Sequence, residues 1–255
     1  TAKTIVGLVS HITKKHKIGT IVVEPIREDE PEDNFLGQVR RLANKIGAVL
    51  IFDEITSGFR INVGGAYVRY GVNPDIVVYG KGMANGYPMS AVVGKKKIMD
   101  VAQDTFISST FWTERIGPAA AIATISKMKA KRVPQHLIAI GKMTNRGRKM
   151  LAKKHGLKLT TTGVPPLTFF SFPYGAKSQA LLTLFNQEML KRGFLTSGTV
   201  YISYAHEKTH VKQYLRAVNQ VFASLKDALD KNDVKQRLKG PVASPNLKRL
   251  TAKRE

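Results

Sequence analysis

At 255 residues the chain is long enough to bury one large core or two smaller ones, and the absence of cysteine excludes disulfides, zinc ribbons and thiol catalysis. No run approaches the roughly 18 apolar residues of a membrane-spanning helix, so no anchor is expected and the cytoplasm is the default location. The formal charge of +23 raises the question of nucleic acid, but lysine and arginine are scattered over the polar sides of the expected helices instead of forming a stripe, which argues against that partner. Ile5, Val9 and Ile12 at helical spacing predict a first amphipathic helix, and Gly19 punctuates it before a strand at Ile21, Val22 and Val23 that ends at Glu24-Pro25. Residues 27–34 read as an acidic loop. Phe35, Val39, Leu42 and Ile46 then mark a helix stopped by Gly47, followed by an apolar strand over 48–52. Further strands are expected over 75–79 and 89–93, and a short helix over 95–102. Pro118 suits the first turn of a long helix, and Pro134 opens another that runs to about His155.

From Leu157 the pattern changes to short apolar strands over 167–172 and 201–204, separated by a helix over 179–191. A last helix carries Val211, Leu215, Val218, Phe222 and Leu225 on one face. The strand–helix–strand order predicts an α/β fold whose sheet is mostly parallel and covered on both faces, because its strands are apolar almost throughout. Residues 1–133 would form that larger domain, 134–230 a small α+β domain, and 231–255, broken by Gly240, Pro241 and Pro245, a basic tail with little packing.

In open α/β sheets ligands collect beyond the carboxyl ends of the strands, and Glu24, Asp53 and Lys81 all fall at such ends. An amine that can form a Schiff base, opposite a carboxylate that can face a pyridine nitrogen, is the pair of groups a pyridoxal phosphate site requires. Lys81, in Gly80-Lys81-Gly82-Met83-Ala84-Asn85-Gly86, and Asp53, in Ile51-Phe52-Asp53-Glu54, are the candidates. No metal-ligating cluster is recognised.

The strings Glu24-Pro25, Ile51-Phe52-Asp53-Glu54, Gly58-Phe59-Arg60, Gly71-Val72-Asn73-Pro74-Asp75, Gly80-Lys81, Asn85-Gly86-Tyr87-Pro88, Arg192-Gly193 and Ala205-His206 occur in order over 18–229. The chain resembles the class III pyridoxal-phosphate aminotransferases, nearest the glutamate-1-semialdehyde 2,1-aminomutase branch, and only their C-terminal portion. The resemblance implies part of a fold-type I large domain plus the small C-terminal domain. It implies pyridoxal 5'-phosphate as cofactor, a small amino acid or amino-ketone as substrate, and a homodimer with shared active sites.

Lys81 would be the Schiff-base lysine and proton carrier, Asp53 the partner of the pyridine nitrogen, and Ile55 the apolar contact on one ring face. Thr56 stands where relatives often have glutamine near the ring's oxygen, and Thr110, read as lying just before a helix start, would reach the phosphate held by the neighbouring subunit. Glu24 would order the site from beside Asp53. Arg60 and His206 are read as structural, and Trp112 as buried at the entrance or between subunits. The upstream glycine- and serine-containing phosphate loop of the family does not precede Glu24, so the chain alone is expected to be weakly active or inactive. Residues 193–201 lack the acid that aminomutases place there, which leaves aminotransferase and aminomutase chemistry both open. A catalytically inactive basic module that binds nucleic acid or anionic surfaces is the alternative.

Overall fold

The computed structural model describes residues 16–244, which places the first expected helix and the end of the tail outside the described residues. Two compact units divide the chain, Thr1–Leu137 and Ile138–Glu255. In the first, β1 (Thr20–Val23), β2 (Val49–Asp53), β3 (Ile76–Tyr79) and β4 (Ala91–Gly94) form one sheet in that order. Helix α1 (Phe35–Ile46) connects β1 to β2 and buries Leu36, Val39 and Ala43 against Leu50, Phe52 and Val72. Gly47, with φ +69, ends it in the left-handed conformation that glycine adopts without a Cβ clash, and its N–H caps the carbonyls of Ala43 and Asn44. A short α2 (Lys96–Met99) passes into a 3-10 turn over Asp100–Asp104, and α3 (Ile116–Ala130) follows.

The sheet is mostly parallel, as expected, with one reversal at its edge. β1, β2 and β3 are parallel, but β4 runs antiparallel to β3. The connection over residues 80–90 is shorter than the dozen or so residues a parallel crossover needs, so the chain must turn back. Burial also alternates along β2, with Leu50 and Phe52 fully covered and their neighbours half-buried, while Val22 of β1 and Val92 and Val93 of β4 are exposed. No helix of the described residues is long and apolar enough to cross a membrane.

The second unit holds most of α4 (Val133–Lys154), then β5 (Thr160–Val164), β6 (Leu167–Ser171), α5 (Ser178–Leu190), β7 (Thr199–Tyr201) and α6 (Lys208–Asp230). Its sheet is antiparallel in the order β5-β6-β7. Strand β5 was not expected from its apolar pattern, since three threonines and a glycine precede Val164; β-branched threonine nevertheless suits a half-buried strand, and Pro165-Pro166 makes the turn. The core is aromatic, with Phe170 against Phe185 at 5.3 Å and Phe172 against Phe222 at 5.9 Å between ring centroids, both edge-to-face. Gly141 lets α4 touch the β5–β6 turn: a Cβ there would lie 1.8 Å from the Pro165 carbonyl oxygen.

Residues 231–243 do not behave as the loosely packed tail expected. Val234 is buried in the same core, Arg237 pairs with Asp227 at 2.7 Å and with Asp233 at 2.7 Å, and the Ala243 N–H donates to Thr183 Oγ1 at 3.1 Å. Val234 and Leu238 supply the apolar contacts of an otherwise polar, basic segment, and Asp227 of the preceding helix receives its arginine.

Candidate active site

Parallel pairing aligns β2 and β3 so that Asp53 stands opposite Val78, and the chain leaves both strands at the same edge. Because side chains alternate along a strand, Asp53 and Glu54 point to opposite sides and acquire different surroundings. Glu54 is wholly buried. It accepts hydrogen bonds from Ser57 Oγ at 2.5 Å and from the Tyr67 N–H at 2.9 Å, while burial pushes its carboxyl above the ordinary glutamate range. Asp53 remains half-buried, and its Oδ1 accepts the Ile55 N–H at 3.0 Å, which fixes its rotamer.

After Ile55 the chain turns sharply through Gly58, where a Cβ would sit 2.6 Å from the Glu54 carbonyl oxygen. The turn brings Thr56 back towards Lys81, and Lys81 Nζ donates to Thr56 Oγ1 at 2.8 Å. Ile55 flanks the same place: its Cγ2 lies 3.5 Å from where a Gly80 Cβ would stand. Arg60 Nε donates to the Thr56 carbonyl at 2.6 Å, which ties the turn to its own backbone. Lys81 itself is exposed and has φ +41, a left-handed backbone that costs a non-glycine residue about 1–2 kcal/mol. Strain at such a position persists only where the surroundings impose it.

Thus four of the expected residues, Asp53, Ile55, Thr56 and Lys81, gather at one sheet edge. Glu24 also leaves β1 at that edge, but its Oε2 accepts Arg27 Nη1 at 3.1 Å, three residues away. Thr110 is exposed in a turn, and α3 begins only at Ile116. The Ile116 and Gly117 N–H groups are taken by the Glu114 carboxylate, so the helix-start argument for Thr110 does not hold: the anion at that helix end is the chain's own. Trp112 is 67% exposed on the single chain. His206 is hydrogen-bonded as expected, its Nδ1 accepting the Ser203 N–H at 2.9 Å, but it is exposed and not packed.

Three contributors, Ser57, Glu54 and Asp75, carry no role in the sequence pattern. Ser57 and Glu54 form the buried support under the turn, a role that strand alternation after Asp53 could have suggested. Asp75 is the larger omission. Its carboxylate receives Arg40 Nη1 at 2.8 Å, Lys95 Nζ at 2.7 Å and the Leu50 N–H at 2.8 Å, tying α1, β2 and the end of β4 to the start of β3. It keeps its charge despite burial, which alone would raise its pKa, because these three donors draw it down to about 2.

A strand-end lysine and aspartate on this sheet define the large domain of a fold-type I pyridoxal-phosphate-dependent enzyme. The chain belongs to the class III aminotransferases: the family described as Aminotransferase class-III matches residues 3–161. Among relatives, 3-aminobutyryl-CoA aminotransferase of Cloacimonas acidaminovorans is 31% identical over 84% of this chain and 55% of its own length. Glutamate-1-semialdehyde 2,1-aminomutase of Desulfosudis oleivorans is 31% identical over 83% of this chain and 54% of its own. Among solved structures, the pyridoxal-phosphate internal aldimine form of the FumI protein of Sphingopyxis sp. MTA144 superposes with a TM-score of 0.81 at 27% identity, covering 88% of this chain and 56% of that one. The chain therefore spans about half the length of the relatives it matches.

Proposed function

We propose that the chain carries the lysine-bearing part of an enzyme for amino-group transfer on small amino acids or amino-ketones with pyridoxal 5'-phosphate, working in the cytoplasm. The observation that carries this reading is the hydrogen bond from Lys81 Nζ to Thr56 Oγ1, three residues past Asp53, which brings the amine to the carboxylate-bearing strand end. The residues fit the group: an exposed amine, a half-buried carboxylate with a fixed rotamer, and an aliphatic flank.

When bound, pyridoxal phosphate supplies an aldehyde for amines to condense with and a ring that takes up electrons from a substrate carbanion. Lys81 supplies the amine on a stem long enough to swing, and after release it accepts and returns a proton at Nζ. Asp53 would hold the pyridine nitrogen and favour its protonated state, as a carboxylate beside a basic nitrogen does. Ile55 would offer an apolar surface to the ring and keep water from it. Thr56, where glutamine is frequent in relatives, holds Lys81 Nζ and offers its hydroxyl beside the ring. Glu24 orders the neighbouring strand end. Thr110 serves the phosphate of the neighbouring subunit in a homodimer, its exposure in a surface turn being the feature that permits such reach.

The test is covalent capture. Incubation with pyridoxal phosphate followed by borohydride should place one adduct on Lys81 by peptide mapping, and Lys81→Ala should abolish it while thermal melting shows the chain still folded. Adducts spread over surface lysines, unchanged by Lys81→Ala, would refute the assignment.

A further inference from the structure

We propose that the groove between α4 and α6 in the second unit is a docking surface for an acidic amphipathic helix of a partner protein. The groove is a recess of about 760 Å³ with an apolar floor of Met143, Met150, Leu151 and Leu215. Gly147 sets its depth, because a Cβ there would lie 2.3 Å from Leu215 Cδ1 and the two helices touch along that line. Lys142, Arg146, Lys154, Lys212 and Arg216 form the rim.

The charge on this face is one-sided. Apart from the buried Arg148, helix α4 contains Lys142, Arg146, Lys149, Lys153 and Lys154 and no carboxylate, and residues 208–222 of α6 contain none either. Several other cations of the unit are paired: Lys191 and Arg192 with Glu188, Lys226 with Asp230, Lys231 and Arg237 with Asp227. Among the described residues, Lys142, Arg146, Lys212 and Arg216 take part in no ion pair. Like charges four residues apart, as in Lys142/Arg146, Lys149/Lys153 and Lys212/Arg216, weaken each helix, so this arrangement works against local stability.

A merely solvated basic face has no use for a floor of methionine and leucine, and Met150 is 62% exposed. An apolar trough with a cationic rim matches a helix with leucine-like residues on one side and carboxylates flanking them. Methionines adapt to the shape of such a ligand. A nucleic-acid duplex would meet the rim with phosphates but leave the floor uncovered. A second copy presenting this same basic face, with its own Lys142, Arg146, Lys212 and Arg216, would be repelled from the groove.

A fluorescein-labelled peptide of glutamate and leucine, about 20 residues long with leucines at i, i+3, i+4 and i+7, tests the proposal by anisotropy on the full chain. It should bind at least about tenfold more tightly than a scrambled peptide of the same composition, and than polyglutamate. The double variant Arg146→Glu/Arg216→Glu should lose at least about tenfold in affinity, and Met150→Asp should weaken the ordered peptide while leaving polyglutamate unaffected. Both variants change exposed positions, and unchanged circular dichroism and melting would show the fold intact; Lys142→Gln/Lys212→Gln gives a milder repeat. Equal binding of the scrambled peptide, or undiminished binding by the reversed variant, would overturn the proposal. So would tighter, Arg146-dependent capture by a DNA duplex or by phosphatidylserine vesicles, or a dimer in sedimentation that Arg146→Glu/Arg216→Glu dissociates.

Discussion

Lys81 combines a reactive amine with a backbone that only glycine adopts freely, and the two properties can be separated. Lys81→Gly removes the side chain and the strain together, whereas Lys81→Ala removes the amine alone. The glycine variant should therefore be more stable than the alanine variant by about 1 kcal/mol in urea unfolding, although both lose the borohydride adduct. Equal midpoints would show that the left-handed geometry costs nothing. Asp75 allows a pH test. Its folded carboxyl titrates near about 2, below the usual aspartate value, so its contribution is complete above about pH 4 and is lost as the pH falls towards 2. Asp75→Asn should lower stability at pH 7 by about 2 kcal/mol and flatten the acid limb of the stability profile over that window. A wild-type acid limb identical to the variant's would refute the role.

At the scale of elements, α4 is tied to β6 by an unusual group. Arg148 is wholly buried with its guanidinium 4.4 Å from the Phe170 ring centroid, and Nη2 donates to Thr168 Oγ1 at 3.2 Å. Among the described residues its Nε and Nη1 have no hydrogen-bond partner and no carboxylate pairs with it; burial pushes its pKa below the ordinary arginine range. A buried charge so poorly compensated costs stability, so Arg148→Met, which keeps the aliphatic volume, should be neutral or stabilising in thermal melts, while Arg148→Ala should destabilise by leaving a cavity. Marked loss of stability in the methionine variant would mean that the guanidinium's few polar contacts and its ring contact outweigh desolvation. In the same aromatic core, Phe222→Ala should cost about 3–5 kcal/mol, because Phe222 is wholly buried and packs against both Phe172 and Phe185.

For the whole molecule, surface charge and exposed apolar groups oppose each other. Val92, Val93, Phe106, Phe111 and Trp112 in the first unit are exposed, Phe106 at 97%, while +23 of net charge opposes non-specific association at long range. Raising the salt from low to near-physiological strength should increase light scattering as repulsion is screened, and Val92→Lys should reduce that increase. Scattering that falls as salt rises would show that charge attraction, not apolar contact, drives association.

Much of this was readable in one dimension. The 3.6-residue spacing of Phe35, Val39 and Leu42 and the apolar runs of β1, β2 and β3 name their elements because burial of one face imposes that period. Asp53 and Lys81 were legible as a pair because both follow such runs, and the chemistry admits few residue types there. What the letters could not carry were contacts between segments distant in sequence. The reversal of β4, the three donors gathered on Asp75 and the docking of residues 231–243 depend on partners a dozen to some sixty residues away, and Thr110 lost its helix end to Glu114 through a local choice between two polar groups. Periodicity records which face a residue turns inward; only the packed chain decides what it meets there.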